Sequence, residues 1–290
     1  MRSRRTTRSK NRLVRSLALA GPIVGIGILG AATATAAQDL DGFAPEPGHG
    51  DVAFSLSFDS YDEFWVGTEK VSVPELGTVD TFSASLWWRH GLTERLTVVA
   101  TVPYVDVEGD GTANLSDSGA QDLSAFLQYR IWSGAAGRTR HSFSVGVGGR
   151  TPVGDYEGDS PISLGDDTTD ALLRAVWLVQ AGRWYVSTQT GWDFRGDPAP
   201  NGLPLAVTAG RSFGNLTPSV TWYRYWADGG TDIGPGVPFP SNKDEFERFA
   251  AKVFARVTPR FGVAIGGFTT LDGRNSGDTD GYAVGLVYSY

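Results

Sequence analysis

Three histidines and their serine neighbours are the residues of this sequence that could support nucleophilic catalysis. The segment His141-Ser-Phe-Ser144 holds an imidazole close in sequence to two hydroxyl groups, and a Ser–His pair is the arrangement that activates a serine nucleophile. Along an extended strand, however, His141 and Ser144 point to opposite faces. His49 is predicted to precede the first strand and His90 to end the second. These positions make a hydrolase the least favoured function for this chain.

Carboxylates concentrate in two segments that are predicted to be loops, 155–159 and 166–167. Oxygen ligands at this density could bind Ca²⁺, or could bridge to lipopolysaccharide through divalent ions. The simpler interpretation is that both segments are solvated acidic loops. The sequence has no cysteine, no His/Cys metal-ligand spacing, no Walker loop and no dinucleotide fingerprint. We therefore predict no metal site and no cofactor.

A third chemical feature is a set of basic side chains that share one parity of the predicted strands. If the strands close into a barrel, this parity faces the lumen, where basic groups would favour anionic solutes. Fewer acids are predicted to oppose them, namely Asp59 and Asp193. The alternative is a packed interior of ion pairs and hydrogen bonds. Tyr223 and Tyr225 could line a path for aromatic solutes or could pack against other side chains. The predicted lumen-lining residues are Arg89, Arg130, Arg150, Arg174, Asp193, Arg195, Tyr223, Tyr225, Lys252 and Arg256.

β-Strands must position these side chains, because period-2 alternation recurs along the chain after residue 50. Twelve strands are predicted, an even number as in single-chain bacterial barrels. The connections between them alternate between short turns and long loops, which is typical of an outer-membrane barrel. The longest loop, 227–244, is the predicted gate. The predicted strands are 51–66, 79–90, 95–107, 122–132, 141–152, 168–180, 183–195, 203–213, 215–226, 245–257, 260–272 and 279–290.

The two faces of the predicted strands differ in composition. One parity carries large apolar residues and is predicted to face lipid, whereas the other mixes small residues with arginine and is predicted to face the lumen. A barrel of twelve strands is narrow, so the lumen is predicted to be partly occluded. Aromatic residues lie mostly near strand ends, where rings anchor at the level of lipid headgroups. The predicted aromatic girdle comprises Trp88, Trp132, Trp177, Trp184, Trp192, Trp222, Trp226, Tyr104 and Tyr288.

The last nine residues alternate strictly between large and small side chains, and the sequence stops on an aromatic ring. This pattern predicts a barrel-closing strand, although an ordinary last strand of a soluble β domain would also alternate. Gly285, Tyr288 and Tyr290 resemble the C-terminal signal that the barrel-assembly machinery of bacteria reads. Ala283 departs from that signal, because a polar residue is usual at its position. Barrel-assembly machinery and outer-membrane lipid, including lipopolysaccharide, are therefore the predicted partners.

The opposite end of the chain has the features of a secretory signal peptide. Seven basic residues and no acid precede an apolar run at 17–31, and Ala34-Thr35-Ala36 forms a small-x-small cleavage site. We predict a signal peptide over 1–36, a periplasmic N-terminal segment over 37–50 and an outer-membrane β-barrel over 51–290. Residues 37–290 contain 18 basic and 32 acidic residues, a net charge of −14. This charge argues against nucleic acid as a partner.

Three segments resemble the outer-membrane β-barrel family named after the meta-pathway of phenol degradation. They are the turn and strand from Gly91-Leu-Thr-Glu-Arg-Leu to Pro103-Tyr104, the strand from Gly119-Ala-Gln-Asp-Leu to Tyr129-Arg130, and Arg150-Thr-Pro-Val-Gly154. The last departs from the family's "K-x-P-T-G" pattern, with Arg for Lys and Val for Thr. The resemblance covers roughly 50–290 and implies an outer-membrane barrel with a channel or uptake role for small compounds. It implies no particular binding residues.

Three functions are therefore considered for an all-β, transmembrane antiparallel barrel in the cell outer membrane. The leading hypothesis is a channel for passive uptake of small solutes, with anionic or aromatic compounds as candidates. The second is a closed structural or surface-interaction barrel that acts through its acidic loops. The third is a lipid-modifying enzyme, which is disfavoured because all three histidines are predicted to lie at the periplasmic end.

Overall fold

The structure is a computed structural model that describes residues 39–290. The predicted signal peptide, 1–36, lies outside the described residues. No helix within residues 39–290 is long and apolar enough to cross a membrane.

Twelve antiparallel strands form one closed sheet, and they coincide with the predicted strands to within a few residues. Each strand pairs with its neighbours in sequence, and the last strand pairs with the first. The barrel strands are β1 Gly50–Tyr61, β2 Val79–Gly91, β3 Leu96–Gly109, β4 Asp122–Ala136, β5 Thr139–Pro152, β6 Asp170–Ala181, β7 Trp184–Phe194, β8 Asn201–Arg211, β9 Leu216–Asp228, β10 Glu245–Arg256, β11 Phe261–Arg274 and β12 Asp280–Ser289.

The seam between β1 and β12 closes the barrel. Its register runs from Asp51 opposite Ser289 to Ser60 opposite Asp280, so ten consecutive residue pairs are joined. Closure leaves no unpaired sheet edge, which satisfies the backbone hydrogen-bonding groups of every barrel strand. The prediction of a barrel-closing last strand is therefore confirmed.

Side chains alternate across the barrel wall as the sequence predicts. Outward positions hold exposed large apolar residues such as Leu86, Leu173 and Leu286, while inward positions hold buried polar and small residues such as Ser83, Gln128 and Gln189. In a water-soluble sheet the exposed face would instead be polar. The inversion matches a wall with an apolar environment outside and a polar interior.

Connections at the two ends of the barrel differ in length. One end carries the short turns, and Gly137, Gly182 and Gly214 adopt positive φ there, which glycine alone among common residues adopts without strain. The other end carries the long loops, including 153–169 and 229–244. This end also bears a small hairpin of strands Phe64–Val66 and Glu69–Val71, a short strand Ser116–Ala120 that pairs with β3, and a 3₁₀ helix Phe239–Ser241.

Residues 39–43, part of the predicted periplasmic N-terminal segment 37–50, lie inside the barrel. Leu40 is only 1% exposed, and its amide nitrogen donates to Gln189 Oε1 in β7 at 2.6 Å. Residues 48 and 49 remain at the short-turn end, where Gly48 N donates to Gly91 O. We call residues 39–43 the lumen segment. Its position in the lumen is stabilised by ion pairs of its two carboxylates, Asp39 and Asp41, with the buried side chains of Arg174 and Arg89.

Candidate functional site: an occluded lumen

The lumen segment is anchored at mid-height of the barrel by Arg174 of β6. Arg174 Nε donates to Asp39 Oδ2 at 2.6 Å, and its Nη1 donates to Asp193 Oδ1 at 2.6 Å. The guanidinium also lies 5.4 Å from the ring centroid of Phe126. Arg174 therefore bridges the barrel wall and the segment. Removing one partner of such a buried pair typically costs about 3–5 kcal/mol, because a buried charge is left unpaired.

A second anchor lies closer to the short-turn end. Arg89 Nη1 donates to Asp41 Oδ1 at 3.1 Å, and its Nη2 donates to Asp51 Oδ2 at 2.7 Å. The Arg89 guanidinium lies 5.2 Å from the ring centroid of Trp87. Like Arg174, Arg89 holds one carboxylate of the barrel and one of the lumen segment.

Further contacts pack the lumen segment against the barrel wall. The Leu40 side chain packs where a Cβ on Gly146 of β5 would stand, so glycine is required at that position for the segment to fit. The Phe43 ring meets Tyr185 edge to face, with centroids 5.3 Å apart. Ser187 Oγ donates to the Asp41 carbonyl oxygen at 2.8 Å. The segment is thus packed as a core element, not merely tethered by charge.

Besides the Arg174 and Arg89 anchors, a third layer of buried charges lies toward the long-loop end. Arg150 Nε donates to Asp170 Oδ2 at 2.9 Å and lies 3.9 Å from Asp122 Oδ2. Arg195 pairs with Asp166 of the 153–169 loop, and its Nε lies 3.5 Å from Asp170 Oδ2. This layer needs no residue of the lumen segment for its charge balance.

The wall opposite these arginines is aromatic. Phe246 of β10 stacks on Tyr223 and Tyr225 of β9, with centroids 5.6 and 5.7 Å apart. Arg248 lies 4.4 Å from the Phe246 centroid and donates through Nε to Thr270 Oγ1 at 3.2 Å. Tyr223 and Tyr225, which were predicted to line the lumen, are buried in this aromatic cluster.

Long loops cover the lumen at the long-loop end of the barrel, and we call them the roof. The roof comprises the hairpin 64–71, the loops 153–169 and 229–244, and residues 275–279. Asn275 joins three of these parts. Its Oδ1 accepts from Gly67 N at 2.8 Å and Ile233 N at 3.2 Å, while its Nδ2 donates to Asp232 Oδ1 and to the Lys243 carbonyl oxygen. Phe239 N donates to Asp159 Oδ1 at 2.8 Å and so ties the fourth part. The loop predicted as a gate therefore belongs to a cover over the lumen.

The pKa values of two roof carboxylates are shifted in opposite directions. Hydrogen bonds from Arg274 and Asn275 lower the pKa of Asp232. Burial, and then the nearby Asp166 carboxylate, raise the pKa of Asp244 to about 7. Asp244 Oδ1 is buried and accepts no hydrogen bond from the residues that the structure describes. Ionisation of Asp244 therefore opposes closure of the roof.

The predicted charged lumen residues differ in their placement. Arg89, Arg150, Arg174 and Asp193 are buried among the ion pairs described above, and Arg195 is partly buried there. Arg130 and Arg256 instead lie at the short-turn rim and are only partly buried, where they donate to the carbonyl oxygens of Glu94 and Pro259. Lys252 points inward from β10, partly buried and within electrostatic reach of Asp41.

The predicted shortage of lumen acids is wrong. Asp51, Asp122 and Asp170 share the inward parity near strand ends, and Asp39 and Asp41 come from the lumen segment. The parity of the three strand residues could have revealed them. No strand parity could have revealed Asp39 and Asp41, because periodicity cannot show that an N-terminal stretch folds back into the barrel.

The histidines have structural partners. His90 Nδ1 lies 3.0 Å from Tyr290 Oη, which also accepts from Trp88 Nε1 at 2.9 Å. His141 Nε2 lies 2.9 Å from Thr139 Oγ1. His49 Nδ1 lies 3.2 Å from the Pro47 carbonyl oxygen. Within residues 39–290, no group of three or more His, Asp or Glu side chains is arranged to hold a metal ion.

Aromatic side chains encircle the outward face near both ends of the strands. Exposed members of the predicted girdle include Trp88, Trp132, Trp177 and Trp184 toward the short turns and Trp226 toward the long loops. Of the predicted C-terminal signal, Gly285 is buried on the inward face of β12, whereas Tyr288 and Tyr290 stack on each other at 6.2 Å between centroids.

Comparison with known proteins places these features in a family. Residues 70–286 match the family described as "Putative MetA-pathway of phenol degradation". This match confirms the resemblance drawn from the motifs of 91–104, 119–130 and 150–154. No curated protein sequence matches the chain.

One solved structure shares the fold at low sequence identity, and two others have lower similarity. An outer membrane channel from Pseudomonas putida F1 superposes with a TM-score of 0.70 at 17% identity, over 86% of this chain and 98% of the other. The NanC porin gives a TM-score of 0.49 at 10% identity, over 82% and 98% of the two chains. The KdgM porin in complex with disordered oligogalacturonate gives 0.47 at 9% identity, over 83% and 99%.

Proposed function

This chain belongs to the family described as the putative MetA-pathway of phenol degradation, and from this membership and its barrel fold we propose that it is an outer-membrane channel for the passive uptake of small solutes. The observation that carries the proposal is the lumen segment itself. A lumen that holds residues 39–43 has room for a small solute once the segment leaves. The closed state described here is then one of two states of the channel.

The outward face supports a location in the outer membrane. Its apolar band and its exposed tryptophans match a hydrocarbon layer bounded by two interfaces. On this proposal the short turns are periplasmic, the acidic loops meet lipopolysaccharide, and the C-terminal strand with Gly285, Tyr288 and Tyr290 is the part that the assembly machinery engages. Residues 37–38 would follow the cleaved signal peptide.

Charge balance argues that the open lumen selects weakly between ions. When the lumen segment leaves, Arg89 keeps Asp51 and Arg174 keeps Asp193. Both arginines then remain neutralised by the barrel wall. The sequence left open a basic constriction that favours anionic solutes or a packed interior of ion pairs, and these pairs support a lumen that admits neutral solutes as well as charged ones.

The test is single-channel recording on the refolded protein in a planar bilayer, comparing residues 37–290 with a variant that lacks 37–43. The intact protein is expected to show brief openings, whereas the shortened variant is expected to carry a larger and steady current. A heat-dependent shift in gel mobility verifies that each variant is a folded barrel. If neither folded protein passes current, the channel is excluded and the closed structural barrel is the function that remains.

A further inference from the structure

A cavity of about 210 Å³ lies beneath the roof, on the long-loop side of the buried charge layers. It is smaller than the roughly 300–1,000 Å³ of pockets that bind drug-sized ligands, so it admits only a small molecule. Its position makes it the first compartment that a solute would meet after passing the roof.

One wall of this cavity is apolar. Val79, Val105 and Val107 of β2 and β3 pack with Ile162 and Leu164 of the 153–169 loop in one buried cluster. These five residues all line the cavity, and Phe246 lines it from the aromatic wall. Such a surface stabilises a ligand whose body is apolar, since burial of that body removes it from water.

The polar side of the cavity presents acceptors. Gln121 donates through Nε2 to the Leu164 carbonyl oxygen, which leaves its Oε1 as a buried acceptor without a hydrogen bond from the described residues. Asp244 Oδ1 is likewise buried without a hydrogen bond from the described residues. Buried polar atoms in native proteins are almost always paired, so two unpaired acceptors on one cavity are complementary to a ligand that donates hydrogen bonds.

The charges that line the cavity balance. Three arginines and three aspartates contribute to its surface, and Arg150 and Arg195 already pair with Asp170 and Asp166. An ionic ligand would have to lose its hydration without gaining a free counter-charge, which is costly. A neutral ligand avoids this penalty.

From these features we propose that the cavity beneath the roof is a binding site for a small neutral molecule with an apolar body and at least one hydroxyl or amide hydrogen-bond donor. Its apolar body rests against the valine, isoleucine and leucine wall, and its donor meets Asp244 and Gln121. The inference deepens the proposed function and rests on it, because the cavity would be the first station of the solute's path.

The experiment uses four matched probes and the refolded protein in detergent. ¹⁹F NMR measures the affinity of 4-fluorobenzyl alcohol, its methyl ether, 4-fluorobenzoate and 4-fluorobenzylammonium, with protein-free micelles as the blank. The alcohol is expected to bind most tightly. The ether lacks the donor and is expected to bind about three- to tenfold more weakly, the effect of one lost hydrogen bond. The two ions are expected to bind more weakly than the alcohol.

Asp244→Leu keeps the branching and the number of side-chain heavy atoms, removes one acceptor and also removes a buried carboxylate, so the variant is expected to fold. It should weaken binding of the alcohol about three- to tenfold and leave the ether unchanged. Asp62→Leu, at an exposed position of the same end, is the control and should change neither.

Equal affinities for the alcohol and the ether, or an unchanged affinity for the alcohol in Asp244→Leu, would overturn the inference. Tighter binding of either ion would do the same. Because binding is measured without current, a protein that conducts but shows no preference for the alcohol contradicts only this inference. One that binds the alcohol but never conducts contradicts only the channel.

Discussion

Asn275 Nδ2 donates to Asp232 Oδ1 at 3.1 Å, and this bond joins two loops whose residues are 43 positions apart in sequence. The same side chain accepts hydrogen bonds from Gly67 and Ile233, so one buried amide connects the hairpin 64–71 with the loop 229–244. Asn275 also adopts a positive φ of 52°, which asparagine tolerates better than most residues. Asn275 therefore contributes both a backbone turn and several of the loop contacts that hold the roof together.

Replacing Asn275 with alanine is expected to open the roof without unfolding the barrel. The change leaves the backbone N–H groups of Gly67 and Ile233 and the carbonyl oxygen of Lys243 without the partner that Asn275 supplies, and each unsatisfied buried group costs about 1–3 kcal/mol. Hydrogen–deuterium exchange should become faster in 229–244 and in the hairpin 64–71. Asn114→Ala is the control, because Asn114 has a φ of 49° but is exposed. Equal acceleration in both variants would show that backbone strain alone, and not the hydrogen bonds of Asn275, holds the roof.

The roof is expected to be most stable at mildly acidic pH. The pKa of Asp244 is raised to about 7, so the closed roof holds a proton that the open state releases between pH values of about 4 and about 7. Stability of the closed roof must fall as pH rises through this window. The lowered pKa of Asp232 acts in the opposite sense and destabilises the roof only as pH falls below about 4.

Exchange of the 229–244 amides, corrected for the intrinsic rate, measures this effect at about pH 5 and about pH 8. Asp166 and Glu245 raise the pKa of Asp244, whereas Arg248 and Arg195 lower it, so Asp244→Asn should remove the pH dependence while those groups stay in place. Persistence of the full pH dependence in Asp244→Asn would assign it to another group.

Filling the place of Leu40 is expected to expel the lumen segment. In Gly146→Leu the new side chain occupies the volume that Leu40 takes in the closed lumen. Planar-bilayer recordings should then show longer open times than those of the unmodified protein, approaching the behaviour of the variant without 37–43. Gly149→Leu is the matched control, since Gly149 is exposed three residues further along the same strand. If Gly149→Leu lengthened the open times equally, displacement of Leu40 would not be their cause.

Removing one lumen carboxylate is expected to create an anion preference in the open lumen. In the variant without 37–43, Asp193→Asn leaves Arg174 with no acidic partner among the residues that contact it here. The reversal potential under a salt gradient should shift toward anions, by roughly threefold or more in permeability ratio, because a charge in a narrow lumen concentrates counter-ions. Asp228→Asn, exposed at the outer end of β9, should leave the potential unchanged. An unshifted potential in Asp193→Asn would place the narrowest part of the path elsewhere.

The wall of this protein could be predicted from sequence, because alternation between lipid-facing and lumen-facing positions is a local signal. Leu173, Arg174 and Ala175 show the principle, since their alternation alone fixes which side chain enters the lumen. Even the pairing of β1 with β12 followed from the alternating C-terminal residues.

The contents of the lumen could not be predicted in the same way. Asp39 meets Arg174 across 135 residues, and Asp41 meets Arg89 across 48. No periodicity links residues at such separations, and a short polar stretch before a first strand has the composition of a linker. Charge complementarity between Asp39-Leu-Asp41 and the inward arginines was the available hint, and its meaning depends on the closed barrel being known.

The lumen segment is covalently continuous with the wall that it blocks. Gly48 and His49 are fixed to Gly91 by backbone hydrogen bonds, so only a few residues separate that fixed point from Phe43. A short tether of this kind confines the segment to an effective concentration on the order of millimolar at its own binding site. Reclosure is therefore unimolecular, independent of the amount of protein in the membrane. A free peptide that copies 39–43 would need a concentration on the order of millimolar to compete for the lumen.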